Sequence, residues 1–391
     1  MVQHHIAPSG EQLDQTLTNP VHDRGLALEV LPLRIVHPVP AVPTMDLLIH
    51  RQPHHTAWLQ HRPRVRRLAR TGQTDQQEHR RNPFHTPSLL EPPMHSVTRT
   101  ALRTALRRTP TAVPSRAVRR LDQDLIHYPA TAVAQTRHGS RFLVHTSDII
   151  QRYLYMFGTW EPHLSAWIRR RLKTGDTFVD VGANIGYYTM LASQRVGPTG
   201  RVVAIEPSPR FLPHLRAAVQ LNQADNVRTV SYAVAAEPGQ VEMYMADPGN
   251  PGGTSMVKPR LVHASFHTSA MPLAAIVTPA EIRSARLIKI DVEGAEAAAV
   301  QSLSPLLDLL RPDAELIIEV TPRTLAKQGL DVQDVITPLR QAGFHTYRIV
   351  NDYDATTYPA AIDAPEPPRR WERQVTEMSD LVFSRTDSTH V

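Results

Sequence analysis

Two short apolar segments of the sequence end in residues that could do chemistry. In the first, residues 178–181 have the composition of a buried parallel strand, and Asp180 lies near its carboxyl end. Gly182 and Gly186 then frame a tight turn into a helix predicted to begin near Ile185. Because the amino end of a helix offers free N–H groups and partial positive charge, this arrangement predicts a nucleotide-type site.

The spacing of the two glycines argues against a pyrophosphate ligand. A dinucleotide site usually reads G-x-G-x-x-G, whereas this turn reads G-x-x-x-G with Asn184 between the glycines. A ligand with adenosine but no pyrophosphate fits better. Glu206 ends the next predicted strand, 24 residues after Gly182, and can accept hydrogen bonds from a ribose diol. An NAD(P)-dependent oxidoreductase remains the alternative enzyme class.

The second segment, residues 287–290, is followed by three acids within six residues. Asp291 ends the predicted strand, Glu293 and Glu296 follow it, and Gly294 allows a sharp turn. Clustered carboxylates at the end of a buried strand are costly in a plain core and suited to chemistry. We expect the two acid-ended segments to lie side by side around one ligand.

Composition excludes several classes of site. The chain of 391 residues has no cysteine, so it has no disulfide, thiolate zinc site, iron–sulfur cluster or cysteine nucleophile. Its histidines are poorly spaced for ligation, and we predict no metal site. No apolar run approaches the ~20 residues of a membrane span, and the amino end lacks a secretion-signal pattern. We therefore expect no membrane partner and a cytoplasmic location.

Charge and periodicity divide the chain into three parts. Residues 1–93 are rich in Pro, His, Gln and Arg, which is typical of a disordered extension. Alternatively, translation begins at Met94 and residues 1–93 are an over-called extension that is not part of the protein. Residues 94–172 predict a lead-in of helices and a strand. Residues 173–391 alternate strands and helices, which predicts an α/β domain with a mostly parallel sheet covered on both faces.

The basic residues are concentrated in the leader of the chain. Residues 1–120 carry a charge balance of +9, whereas the remainder carries −3. A nucleic-acid partner for the catalytic part is therefore not favoured.

Four segments of the sequence are similar to one protein family. They are Phe178–Thr189, Val203–Pro207, Gly252–Ser255 and Ile288–Glu296. Together they resemble the FkbM-type S-adenosylmethionine-dependent methyltransferases over about residues 153–350. The resemblance implies a Rossmann-like class I methyltransferase fold, with a seven-stranded, mostly parallel sheet whose final strand is antiparallel. It also implies O-methylation of a small molecule, natural product or sugar, so that the expected partner is a small-molecule or glycan acceptor.

The resemblance also implies roles for single residues. The region Met271–Ala275 lacks two acids usual in the family, which leaves the role of that loop open. The implied cofactor contacts are Asp180, Gly182, Asn184 and Gly186 at the methionine end, Glu206 at the ribose hydroxyls, Ala233 near the adenine and Asp291 at the sulfonium.

The acids after the second segment are the candidates for catalysis. Methyl transfer from a sulfonium is an in-line displacement that depends mainly on alignment, and a carboxylate with a raised pKa can take the proton of the acceptor. Asp291 or Glu293 is our hypothesis for that base, with Glu319 behind them. Asp291 could instead only orient the amine of the cofactor.

Other features leave alternatives open. Trp160 and Glu161 could belong to an active-site lid or be a packed aromatic and a first-turn acid. Residues 249–255 could be a substrate loop or a plain turn, and His263 or His267 a base or a solvated side chain. A nucleic-acid methyltransferase is disfavoured because the Asn/Asp-Pro-Pro-aromatic motif is absent. A non-catalytic binding module of the same fold remains possible.

Overall fold

The structure is a computed structural model that describes residues 93–245, 254–259, 262 and 264–391. The helices are α1 Ser96–Arg108, α2 Ser115–His127, α3 Ile149–Met156, α4 Pro162–Arg171, α5 Tyr187–Val196, α6 Leu212–Leu221, α7 Leu273–Ile276, α8 Pro279–Ser284, α9 Glu296–Leu303, α10 Pro322–Ala326, α11 Gln333–Gln341 and α12 Tyr358–Asp363. The strands are β1 Thr131–Gln135, β2 Arg141–His145, β3 Thr177–Val181, β4 Arg201–Ile205, β5 Val227–Val230, β6 Ala233–Val234, β7 Gly239–Met245, β8 Thr254–Ser255, β9 Ala264–Met271, β10 Ala285–Ile290, β11 Glu315–Val320, β12 His345–Ile349, β13 Arg369–Arg370 and β14 Ser379–Ser384. Short 3₁₀ helices span Pro110–Ala112 and Ser304–Leu309.

The central sheet has the strand order β13-β12-β14-β11-β10-β3-β4-β5. The run from β11 through β10, β3 and β4 to β5 is parallel, and β14 is antiparallel to both of its neighbours. The expected Rossmann-like α/β fold and the antiparallel final strand are confirmed. The expected number of seven strands is wrong by one, because the two-residue strand β13 pairs with the outer edge of β12.

Helices cover both faces of this sheet, as the alternating pattern predicts. On one face, apolar residues of the sheet such as Val179, Ile288 and Phe383 share a buried cluster with residues of α7, α9 and α11. On the other face, Phe178 and Leu287 share a second cluster with residues of α4, α5 and α12. Because the side chains of a strand alternate between faces, β3, β4, β10, β11 and β14 each contribute to both clusters.

The lead-in residues 94–172 pack into the second of these clusters. Leu106 of α1, Leu121 of α2 and Leu154 of α3 are fully buried in the cluster that also contains Phe178 of β3. The start of α3 is capped by Asp148, whose side chain accepts a hydrogen bond from the Gln151 amide. The domain boundary at residue 172 remains a prediction, although side chains from both sides of it share one core.

Two regions without a clear periodic pattern in the sequence contain regular elements. The stretch after residue 255 includes β9, which joins β6, β7 and β8 in a four-stranded sheet. The segment 354–370, whose prolines are typical of a loop, contains α12 and β13. The helix after the glycine turn begins at Tyr187 rather than at Ile185. Within the described residues, we find no helix with the length and apolar character needed to cross a bilayer.

Candidate functional site

The turn after β3 needs glycine at its first position. Gly182 has a φ of +84°, and a Cβ atom there would lie 1.8 Å from the backbone oxygen of Asp291. The approach is close because the Asp291 amide donates a hydrogen bond of 2.9 Å to the carbonyl of Val181. The ends of β3 and β10 therefore meet at Gly182, and a side chain there would push them apart.

The rest of the turn leads the chain into α5. Gly186 is the N-cap of α5 with a φ of +89°, and a Cβ atom there would lie 2.7 Å from Cδ1 of Leu215. Asn184 also has a left-handed backbone, with a φ of 52°. Its side-chain Oδ1 accepts a hydrogen bond of 2.7 Å from the Ile185 amide. Asn184 thus stabilises a conformation that most residues avoid.

Glu206 links this turn to the end of β4. Its Oε2 accepts a hydrogen bond of 2.7 Å from the Asn184 amide, and its Oε1 accepts one of 2.8 Å from the Ser208 amide. Burial raises the pKa of Glu206 to about 7, although the two backbone donors act in the opposite direction. Glu206 therefore fixes the turn and titrates close to neutral pH.

A cavity of about 290 Å³ lies at the carboxyl ends of β3, β4 and β10. Two predicted site residues, Asp180 and Gly186, do not line it. The predicted site residues that the structure brings together around this cavity are Gly182, Asn184, Glu206, Ala233, Asp291 and Glu293.

Asp180 lies below the cavity in the buried sheet. Its Oδ2 accepts a hydrogen bond of 2.6 Å from the Thr189 hydroxyl, whereas its buried Oδ1 has no hydrogen-bond partner. Burial raises the pKa of Asp180, opposed chiefly by the nearby charge of Lys289.

Lys289 is a buried cation between these acids. It lies opposite Asp180 in the register of β10 and β3, and its Nζ is 2.6 Å from Oδ2 of Asp291. The ammonium also lies 5.0 Å from the ring centroid of Tyr188. Burial alone would lower the pKa of Lys289, but Asp291, Asp180 and Glu161 outweigh it and raise the pKa. Lys289 therefore stays charged and balances part of the negative charge.

Glu293 occupies a turn between β10 and α9 and lines the cavity. Its φ is 35°, and its carbonyl oxygen accepts a hydrogen bond of 2.6 Å from the Ser255 hydroxyl. Burial, together with the neighbouring acids Asp291 and Glu296, raises the pKa of Glu293 to about 7. Glu319 also lines the cavity, and burial with nearby carboxylates raises its pKa well above the ordinary value.

A second wall of the cavity was only partly foreseen from the sequence. Trp160 and Glu161 line the cavity, and the Trp160 ring stacks on Tyr353 with centroids 5.3 Å apart. Glu161 accepts hydrogen bonds from the hydroxyls of Tyr188 and Tyr353, the latter at 2.8 Å. Lys289 could have been found from the sequence, because a charged residue inside an otherwise apolar strand is itself a signal of a functional site.

The remaining candidates add no residue to the described lining of the cavity. Residues 249–253 and His263 lie outside the described residues. His267 is exposed on β9, where it pairs with Glu242 of β7. Whether Trp160 and Glu161 move as a lid stays a prediction.

Comparison with known proteins identifies a domain within this chain. Residues 180–346 match the family model described as the methyltransferase FkbM domain, which confirms the resemblance seen in the sequence. A stretch of 53 residues is 38% identical to the arsenite methyltransferase of Halobacterium salinarum. This match covers 14% of this chain and 14% of the curated relative, so the chain spans a small part of that protein's length.

Two solved structures are weakly similar to the chain. One is a methyltransferase FkbM from Methylobacillus flagellatus KT, with 17% identity and a TM-score of 0.31 over 60% of this chain and 52% of that chain. The other is an S-adenosylmethionine-dependent O-methyltransferase from Thermotoga maritima, with 14% identity and a TM-score of 0.32 over 65% of this chain and 77% of that chain. Neither likeness is strong enough to bear on function.

Proposed function

We propose that the chain is an S-adenosylmethionine-dependent methyltransferase, because residues 180–346 match the family model of the methyltransferase FkbM domain. We propose further that it methylates a hydroxyl of a small molecule, natural product or sugar. The observation that carries the proposal is Glu206, a buried carboxylate that lines a cavity at the carboxyl ends of parallel strands. An acid in this position suits the hydroxyls of a ribose.

The residues around the cavity fit this cofactor. Each oxygen of Glu206 accepts one backbone hydrogen bond and keeps a second lone pair for a ribose hydroxyl. The turn between Gly182 and Gly186 would hold the methionine end, with Asn184 beside it and Ala233 near the adenine.

Asp291 and Glu293 would act at the reacting end of the cavity. S-adenosylmethionine supplies an electrophilic methyl group on a positively charged sulfur. The Lys289 ammonium holds one oxygen of Asp291 at 2.6 Å, and the other oxygen of this carboxylate would face the positive end of the cofactor. Glu293, whose pKa is raised to about 7, can accept the proton of the acceptor hydroxyl near neutral pH.

The cofactor is tested by binding and the reaction by label transfer. Calorimetric titration is expected to detect S-adenosylhomocysteine and not NADH, whereas tight NADH binding would favour the oxidoreductase. Radiolabelled S-adenosylmethionine should label an acceptor in an extract of the producing organism. Replacing Glu293 with glutamine should slow this transfer by about 10²- to 10⁴-fold, as expected for loss of a general base. Unchanged transfer by Glu293→Gln would remove the base assignment.

A further inference from the structure

The cavity has two halves of different origin. The half that contains the proposed cofactor residues lies within residues 180–346, the segment that matches the family. The other half is built by α3, the start of α4 and two C-terminal loops, all outside that segment. Its residues are Ile149, Ile150, Trp160, Glu161, Tyr353 and Met378. If the first half holds the cofactor, the second half faces the acceptor.

This second half combines an aromatic wall with a carboxyl group. Trp160 and Tyr353 are stacked with an interplanar angle of 21°. Glu161 is 5% exposed, and each of its oxygens accepts one hydrogen bond from a tyrosine hydroxyl. Since the carbonyl oxygen of a carboxyl group has two lone pairs even when the group is protonated, Glu161 keeps one for a further donor. Glu161 also has a φ of 41°, a strained conformation that is concentrated at functional sites.

The charge of the cavity restricts the acceptor. None of the described residues that line it is Lys, Arg or His, whereas five are acids: Glu161, Glu206, Asp291, Glu293 and Glu319. An anion in this poorly solvated space would find no positively charged partner among these lining residues, and a buried charge without a partner is costly. Burial and the nearby Asp380 raise the pKa of Glu161 to about 8, so this carboxyl group can pair with an uncharged hydroxyl without a counter-charge.

We propose that Trp160, Glu161 and Tyr353 form the acceptor subsite, and that it takes an uncharged, hydroxyl-bearing ring. The ring packs against the aromatic wall, and one of its hydroxyls donates a hydrogen bond to Glu161. Tyr353 positions Glu161 through its own hydroxyl. This subsite rests on the proposed function, because it presumes a methyl acceptor.

The charge of the acceptor is measured without knowing its identity. The full chain is incubated with S-adenosylmethionine labelled in the methyl group and an extract of the producing organism, and the labelled products are passed over an anion exchanger and then a cation exchanger at pH 7. The label is expected in the unretained fraction. Retained label, the behaviour of a phosphorylated or nucleic-acid acceptor, overturns the subsite. If the wild-type protein labels nothing, the proposed function itself has failed.

Two variants test the residues. Glu161→Gln and Tyr353→Phe are each expected to raise KM for the unretained acceptor fraction at least tenfold, while Kd for S-adenosylhomocysteine stays within twofold of wild type. Glu315→Gln is the control, since Glu315 is equally buried but pairs with Arg171 and Arg286. It should leave KM unchanged. The subsite is wrong if both variants keep the wild-type KM. It is also wrong if either variant loses S-adenosylhomocysteine binding although its thermal midpoint equals that of Glu315→Gln.

Tyr353→Phe keeps the test decisive if Glu161→Gln fails to fold. It removes one hydroxyl and preserves the ring that stacks on Trp160. A purely structural role for Tyr353 would lower the thermal midpoint without changing KM, which counts against the subsite.

Discussion

Replacing Glu206 with glutamine is expected to weaken binding of S-adenosylhomocysteine by about 10- to 100-fold at pH 8.5. The ribose would lose the charge on its acceptor, and a hydrogen bond to a charged group contributes about 1 kcal/mol more than one between neutral groups. For two ribose hydroxyls the loss is about 2 kcal/mol, and each 1.4 kcal/mol is a factor of ten in Kd.

The effect should depend on pH in a direction set by the raised pKa of about 7. At pH 8.5 Glu206 is ionised, and the glutamine variant differs from it by a full charge. At pH 5.5 Glu206 is protonated and neutral, so the two proteins should bind with more similar affinity. The ratio of the two dissociation constants is therefore expected to fall as the pH is lowered.

The assay is calorimetric titration at both pH values, with Glu315→Gln as a control for loss of a buried charge away from the cavity. Glutamine can accept from only one of the Asn184 and Ser208 amides, and the other is left without a partner at a cost of about 1–3 kcal/mol of folding stability. Folding is therefore checked by circular dichroism at each pH. Affinity within twofold of wild type at pH 8.5, in a folded variant, would refute a ribose contact at Glu206.

Three further predictions concern stability. The free energy of unfolding should fall as pH rises from about 4.5 to 8, because Glu161 and Glu206, with pKa values raised to about 8 and about 7, hold protons more tightly in the folded protein. Glu206 alone accounts for a loss of about 3 kcal/mol in the free energy of unfolding, at 1.36 kcal/mol per pKa unit. Urea titrations that give equal stability at pH 5 and pH 8 would contradict this prediction. Gly182→Ala should lower the thermal midpoint sharply compared with Gly239→Ala, whose added Cβ meets nothing within 4 Å; equal midpoints would show that the β3 turn can relax. Lys289→Met leaves buried carboxylates without their cation and should lower the free energy of unfolding by about 3–5 kcal/mol, measured by chemical denaturation. Lys173→Met, which removes an exposed lysine, is the control, and an equal loss in both variants would count against the buried pair.

The parts of the site that the sequence predicted are those encoded locally. Gly182 and Glu206 each follow a short apolar strand, and the carboxyl ends of neighbouring parallel strands lie at one edge of a sheet. Such signals are contained within a few residues, so they could be found without any knowledge of the fold.

The parts that could not be predicted depend on distant partners. Glu161 and Tyr353 are 192 positions apart in the chain, and only the folded arrangement of α4 and the segment after β12 brings them together. The additional edge strand β13 has two residues, too few to give any periodic pattern. The helix α12 has six residues, and the prolines in and around it hide its pattern because proline is typical of loops.

The buried charges of the central sheet also have a consequence for how its strands can pair. Asp180 and Lys289, which carry opposite charges, face each other across β3 and β10. Sliding one strand by a single residue would turn its ionisable side chain into the apolar layer on the reverse side, beside Val179 or Ile288. Misaligned versions of the sheet are therefore disfavoured, and the buried charge pair beside the site also helps the chain to choose a single alignment.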